Sequence, residues 1–518
     1  MPVSVLVPGR RRAPCLMIQG TGSGVGKSLL ATAFCRLFAR AGYRVAPFKS
    51  QNMALNAAVA ADGGEIGRAQ AAQAEAAGIE PTVDMNPILL KPEGDARAQV
   101  VIRGAATPSV DFTTYQRMAP ELLDVVGESL GRLRAGHDLV VIEGAGSPAE
   151  INLAATEIVN MRIARLAEAP VLLVGDIDRG GVFAALVGTL ALLDPDDRAR
   201  VSGFLVNRFR GDRRLLEPGL EMLTARTGVP VVGVVPFIPE RLVPAEDSLD
   251  LERIAGAARD AVVDVAVIRL PRISNFDDFE PLAEEPGVRV QFVRTAAELA
   301  PADLVIVPGT KTTVADLTWL EASGLGAAVR EAAAAGRCVL GVCGGFQMLG
   351  ERVDDPEGLE GVAGSVAGLG LLPVTTTFAG AKRTVRVRAR VAATRGMLAA
   401  AAGREIAAYE IHVGRTRSAA DPAFAIIARG PERPEEADGA VSADGAVTGT
   451  YLHGLFADDT LRGTVLRAVA ARAGRAPDPR WGSPRGASLR YDRLADIVAD
   501  AVDVPAVAKL VGLSWPRA

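Results

Sequence analysis

Two stretches of this sequence, and a set of polar residues placed after apolar runs, combine residue types and spacings that do chemistry. The first stretch is Gly20-Thr21-Gly22-Ser23-Gly24-Val25-Gly26-Lys27-Ser28. Glycines let a backbone turn tightly enough to aim several N–H groups at a phosphate. Lys27 adds a point charge, and the Ser28 hydroxyl suits Mg²⁺. Thr21 through Ser28 are therefore the candidate nucleotide-binding residues. In the common spacing G-x-x-x-x-G-K-[ST] a glycine falls at position 21. Here that position is threonine, and the first glycine comes one residue earlier. The second stretch is Gly341-Val342-Cys343-Gly344-Gly345. A thiol on a tight strand-to-helix turn is exposed, acidified by the helix N-terminus and flanked by N–H donors for an oxyanion. Cys343 is the candidate nucleophile, and its base has to be a histidine remote in sequence. Of the three histidines, His453 in Thr450-Tyr451-Leu452-His453 is the first candidate, His412 is its competitor, and His137 lies in the other half.

The polar residues stand where apolar runs end. Glu143 closes Asp138–Ile142 and is placed for a second Mg²⁺ contact. Lys49, Gln51 and Asn52 follow another run and suit an acidic substrate or a terminal phosphate. Asp176, Asp178 and Arg179 suit phosphate or substrate handling, and Asn207 is placed to read a base. Lys91 is a further lysine, and Asp62 and Glu65 are further carboxylates in the same half.

Elements of a particular kind must hold these residues. Strand-like apolar runs at 15–18, 43–46, 138–142, 170–174, 201–206 and 230–235 alternate with helical stretches. Uninterrupted apolar runs belong to a parallel sheet covered on both faces. The pattern implies a doubly wound α/β domain, with its chemistry at the C-terminal strand ends. A break rich in proline and acidic residues, with a short helical stretch, runs from 236 to 260. A second alternation begins at 264 with runs at 288–292, 304–307 and 337–342. Residues 360–450 read as β and the tail from 461 as helical. The expected organisation is a P-loop domain over 1–240, a linker over 241–260, a second α/β domain over 261–460 and a helical tail over 461–518.

Bulk properties exclude several classes. Of the 518 residues, 49% are hydrophobic and 23% charged, and the net charge is −4. Those are values of a globular chain, with no long basic run for nucleic acid or an anionic membrane. The longest apolar stretches, 180–193 and 338–350, are too short to span a bilayer. The opening run has its arginines behind its apolar residues, the wrong order for a secretory signal. The expected compartment is the reducing cytoplasm. The four cysteines, at 15, 35, 338 and 343, have no metal-ligand spacing.

The longer loop spacing at 20–28 is similar to that of dethiobiotin synthetase, an amidoligase-type P-loop enzyme. The wider set closely resembles the cobyric acid synthases, glutamine-hydrolysing enzymes of the cobalamin pathway. It comprises GTGSGVGKS, APFKSQNMALN, MNPILLKP, IEGAGSPAEINL, GDIDRGGVFA and NRFRGD. The Cys343 region resembles class I glutamine amidotransferase domains, so the fold class implied is a P-loop domain followed by an amidotransferase-like α/β domain. The resemblance implies ATP and Mg²⁺ as cofactors, and glutamine and a corrinoid acid as substrates. Cys343 would form a γ-glutamyl thioester with His453 as base, and Gly309 and Gly344 would supply the oxyanion hole. Carboxylates b, d, e and g of adenosylcobyrinic acid a,c-diamide would be amidated through acyl phosphates, giving adenosylcobyric acid. Ammonia would cross between the sites in an inter-domain channel. Most such amidotransferases read His-x-Glu, but position 455 is leucine. The group orienting the histidine is thus open, with Glu410 as a candidate. Two alternatives are the sister enzyme acting on carboxylates a and c, and a P-loop switch ATPase carrying a degenerate amidotransferase fold.

Overall fold

Apolar runs between glycine-rich turns build a six-stranded parallel sheet. Its order is Val231–Pro236, Val201–Phe209, Val171–Asp176, Cys15–Gly20, Leu139–Glu143, Val45–Phe48. The computed structural model describes residues 12–94, 97–244, 261–360, 363–484 and 486–516. The opening run 1–11 and the helical stretch expected between 245 and 260 lie outside the described residues. Cys15–Gly20 occupies the middle of the sheet, so the chain leaves it toward both edges. A crevice at such a reversal, outside the carboxyl ends of the strands, is where α/β sheets bind ligands. Leu139–Glu143 and Val171–Asp176 are buried along their whole length, as a doubly covered sheet requires. The helix Lys27–Arg40 starts after Gly26, whose φ of 101° a side chain rarely adopts. Its residues Leu30, Phe34, Leu37 and Phe38 recur at helical spacing and pack on one face of the sheet.

The sequence reading shows no strands between 48 and 138, and the structure has several. Gln51–Met53, Ile88–Pro92, Arg97–Ile102 and Ala105–Asp111 form a four-stranded sheet, and Ala57–Val59 pairs with Glu65–Gly67. These strands are short or polar on one face, so no apolar run announces them. Between them lies the helix Arg68–Ala77, mostly alanine with Gln70 and Gln73 fully buried.

The second sheet runs Val288–Val293, Val263–Ile268, Leu304–Val307, Cys338–Val342, Val447–Thr450, Ala440–Val441. Its pairs are parallel except the last. The β-rich region folds into a separate mixed sheet around the long pair Val374–Val391 and Glu405–Ser418.

The tail divides between the two halves. Asp459–Arg472 buries Leu461, Val465 and Leu466 in the core of the second half. Ala487–Ala501 crosses back to the first half, where Leu494, Ala495 and Val498 join the core beneath Lys27–Arg40. Arg36–Asp492 at 2.8 Å and Arg40–Asp496 at 2.7 Å line its edge. The halves meet across a small apolar cluster in which Ala57, Val59, Leu89 and Val101 receive Ile411.

Candidate active sites

The first site forms where strand ends converge. Strand Cys15–Gly20 delivers the glycine loop, and its Lys27 Nζ donates to the carbonyls of Gly22 at 2.8 Å and Gly146 at 2.9 Å. The lysine is thereby drawn over the loop, in the place a phosphate's charge would take. Strand Leu139–Glu143 delivers Glu143, only 1% exposed. Its Oε1 accepts from Ser28 Oγ at 2.9 Å and from Lys49 Nζ at 2.9 Å, and its Oε2 from Gln73 Nε2 at 2.6 Å. A buried carboxylate needs such partners. Asn207 lies near the end of strand Val201–Phe209, and its Nδ2 donates to Val25 O at 2.8 Å. The amide expected to read a base thus braces the loop from below. A Cβ on Gly26 would lie 2.1 Å from that Nδ2, so position 26 has to be glycine on two counts.

These groups border a cavity of about 410 Å³, lined by Ser23, Lys27, Ser28, Lys49, Asn52, Glu143 and Asn207 among others. Asn52 Nδ2 also donates to Gln70 Oε1 at 3.1 Å. The other expected residues stand outside the lining. Gln51 accepts from the Tyr115 hydroxyl. Asp176 is buried with Arg208 at 2.7 Å, and Asp178 pairs with Arg210 at 3.0 Å. Arg179 is largely exposed and overhangs the loop beside Gly24. Asp62 and Glu65 do not line the cavity either. Asp62 accepts from Val83 N–H at 3.2 Å, and Glu65 is buried between Lys91 and Lys382. Burial alone would raise the Glu65 carboxyl, but the two lysines hold it down at about 2.

A hydroxyl and a carboxylate oxygen side by side are hard donors that suit Mg²⁺, which is held by one or two protein oxygens while phosphates and water complete its shell. Ser28 and Glu143 fit that requirement. No group of three or more His, Cys, Asp and Glu suited to a metal occurs among the described residues.

The second site is built on Cys343, at the end of strand Cys338–Val342. Its φ of 52° and ψ of −110° are outside the regions open to ordinary residues, a strain of about 1–3 kcal/mol that the surrounding structure imposes. Its N–H bonds to Thr450 O at 2.8 Å and its Sγ lies 3.4 Å from Ile411 O. The turn closes only with glycine behind the cysteine. A Cβ on Gly345 would sit 1.8 Å from Val307 O. A Cβ on Gly344 would lie 3.2 Å from Thr310 N, and one on Gly309 3.3 Å from His453 Cε1. Of the two expected oxyanion glycines, Gly309 thus lies against the His453 ring and Gly344 against Thr310, the residue that follows Gly309.

His453 is 2% exposed, and its Nδ1 bonds to Asp278 Oδ2 at 2.7 Å. Asp278 Oδ1 accepts from Gly454 N–H at 3.0 Å, and the Tyr409 ring stacks on the imidazole at 5.2 Å. Burial would lower the His453 pKa. The Asp278 carboxylate and the neighbouring Cys343 override it and raise it to about 10.

Glu410 does not orient this histidine. It is bound to Arg429 at 2.8 Å and lies 3.9 Å from His412. His412 stacks on Tyr451, with its Nδ1 against Gly414 O at 2.9 Å. The acid that meets His453 is Asp278, which the sequence reading passes over. Its one signal was position: Ser274–Phe279 comes after the end of strand Val263–Ile268. The sequence reading passes over Gln73 too, although a glutamine pair at i, i+3 in an alanine helix marks a polar face.

Comparison with known proteins adds to this geometry. Residues 16–247 match the CobQ/CobB/MinD/ParA nucleotide binding domain, and residues 264–461 match the CobB/CobQ-like glutamine amidotransferase domain. The chain is similar to the cobyric acid synthase of Sorangium cellulosum (strain So ce56), 55% identical over 96% of this chain and 98% of that one. The cobyric acid synthase of Dehalococcoides mccartyi (strain CBDB1) is 50% identical over 95% and 97%. That of Pelotomaculum thermopropionicum (strain DSM 13744 / JCM 10971 / SI) is 48% identical over 98% and 98%.

Proposed function

Because the chain belongs to the cobyric acid synthase family, glutamine-dependent amide-forming enzymes of cobalamin biosynthesis, we propose that its two sites share one reaction. Glutamine is hydrolysed at Cys343, and the ammonia is joined to a corrinoid carboxylate activated by ATP at the glycine loop. The reading proposed is amidation of carboxylates b, d, e and g of adenosylcobyrinic acid a,c-diamide. One observation supports the two-site reaction: a Cys343–His453–Asp278 constellation and a Lys27–Ser28–Glu143–Lys49 constellation occur in one chain whose halves are in contact. In this reading residues 1–240 form the synthetase domain and 261–460 the glutaminase domain, joined by 241–260. The tail over 461–518 is shared between them.

At the glutaminase site the Cys343 thiolate attacks the glutamine carboxamide carbon. Backbone N–H groups at Gly309 and Gly344 receive the charge that develops on oxygen. His453, held by Asp278, gives its proton to departing ammonia and leaves the acyl group on sulfur. It then takes a proton from the water that releases glutamate.

At the synthetase site a carboxylate is a poor acyl donor, so its oxygen is converted to phosphate before ammonia displaces it. Lys27 and the loop N–H groups hold the nucleotide phosphates and bear the charge of the transferred phosphoryl group. Lys49 lies on the cavity wall beside Glu143, where it can also meet a substrate carboxylate. Ser28 and Glu143 would hold Mg²⁺, which neutralises phosphate charge when bound.

The deciding assay compares wild type with Cys343→Ser. Wild type should release glutamate from glutamine in the presence of MgATP and the a,c-diamide. Mass spectrometry should show four amide groups gained. Cys343→Ser should release none, yet still amidate with ammonium chloride. Absence of glutamate release by wild type defeats the proposal. So does a product that is unchanged on the a,c-diamide but gains two amides on cobyrinic acid.

A further inference from the structure

One helix carries side chains to both sites. Arg68 opens the helix Arg68–Ala77, and Gln73 lies five residues on, about 7.5 Å along its axis at 1.5 Å per residue. Gln73 donates to Glu143 at 2.6 Å in the nucleotide site. Arg68 places Nε 2.9 Å from Asp277 Oδ2 in the other half. Asp277 immediately precedes Asp278, the acid bonded to His453.

The turn bearing that acid is held from the same side at two further points. Asn275 Nδ2 donates to Ala57 O at 2.7 Å, and Phe276 N–H to Asn56 Oδ1 at 3.2 Å. Asn275 adopts a φ of 52°, a left-handed turn conformation that asparagine takes more readily than most residues. All three anchors, Asn56, Ala57 and Arg68, belong to the nucleotide-binding half. The glutaminase acid is therefore shaped from outside its own sheet. Asp277 itself is buried, and Arg68 is the cation set against it. A buried carboxylate without its cation moves toward water or takes a proton, and either event shifts the adjoining residue.

We propose that Arg68 is a positioning residue of the glutaminase: by holding Asp277 it fixes the turn that aims Asp278 at His453. This rests on the glutaminase reading given above. Arg68 acts through two residues and meets neither the thiol nor the amide. Glutamine hydrolysis consequently depends on contacts made by the nucleotide-binding half.

The test uses the full chain as wild type, Arg68→Met and Arg68→Lys. Glutamate release, amidation with ammonium chloride and the NMR titration of the His453 ring are measured on each. Arg68→Met should lower kcat for glutamate release by about 10-fold or more with the glutamine KM within about 2-fold. Ammonium-dependent amidation should stay within about 2-fold. The His453 ring should titrate at lower pH than in wild type, and Arg68→Lys should restore part of both effects. Asn56→Ala, which removes the acceptor of the Phe276 N–H, should give the same pattern more weakly, so the idea stays testable if Arg68→Met does not fold. Equal loss of glutamine- and ammonium-dependent activity would overturn it. So would unchanged glutamate release, or an unmoved His453 titration. If wild type itself releases no glutamate, the glutaminase reading fails, independently of Arg68.

Discussion

His453 and Asp278 show how burial and charge compete within one side-chain pair. Burial works against the imidazolium, but Asp278 at 2.7 Å and Cys343 favour it, and the ring's pKa stands at about 10. A raised histidine pKa has a defined sign. The stability it brings is complete below the unfolded value of about 6.5 and is lost as pH rises through about 10. Asp278→Asn removes the raising charge and leaves burial, so the ring should titrate lower, which NMR of the ring protons will read. The same change should cut glutamate release by about 100-fold or more while ammonium-dependent amidation persists, because a neutral amide no longer stabilises the imidazolium. Retention of glutamate release within a few-fold would remove Asp278 from the mechanism.

At the scale of elements, the catalytic groups gather at the junctions where strands pass into turns. Strands end there, backbone groups are free, and side chains from neighbouring strands converge. The glycine loop illustrates the constraint. Gly26 has a φ of 101° and no room for a Cβ against Asn207. Gly26→Ala should distort the loop and displace Asn207 from Val25 O. Wild type should gain thermal stability with MgATP by binding linkage, and the variant should gain almost none, as read by calorimetry. An equal gain in both would mean that the loop tolerates the methyl group. The turn at Cys343 obeys the same logic, since Gly345 approaches Val307 O too closely for any side chain.

At the scale of the whole molecule, the chain's end helps to build its beginning. Leu494 is fully buried against the core that contains Phe34 and Phe38 of the glycine-loop helix. Truncating such a side chain costs its transfer energy plus the cavity left behind. Leu494→Ala should destabilise the nucleotide half by about 2–5 kcal/mol, measured by denaturant unfolding with and without MgATP. A change below about 0.5 kcal/mol would show that the returning helix is not part of that core. The contact between halves is polar as well as apolar. Lys311–Glu93 at 2.7 Å and the Arg386 Nε bond to Val59 O at 2.9 Å flank the apolar cluster around Ile411. Ile411 O in turn lies against Cys343 Sγ, so the interface reaches the nucleophile itself.

Local chemistry made much of this legible in the residues alone. A phosphate loop needs its glycines, lysine and serine within nine consecutive positions, and an elbow cysteine needs its glycines on either side. Such requirements are written in adjacent residues. The uninterrupted apolar runs likewise declared the parallel sheet of the first half, because burial on both faces leaves no polar alternation. Other pairings join positions far apart. Asp278 meets His453 across 175 residues, Arg68 meets Asp277 across the two halves, and Gln73 meets Glu143 across 70. Asp277 and Asp278 are identical as letters. One faces an arginine and the other an imidazole, a difference set by which way a short turn projects each of them. Glu410, a candidate to orient the histidine, is instead paired with Arg429. Sequence sets which groups are available, through local backbone and hydrophobic requirements. Which carboxylate meets which base is decided by packing between segments, because such pairings have no local energetic signature in the chain.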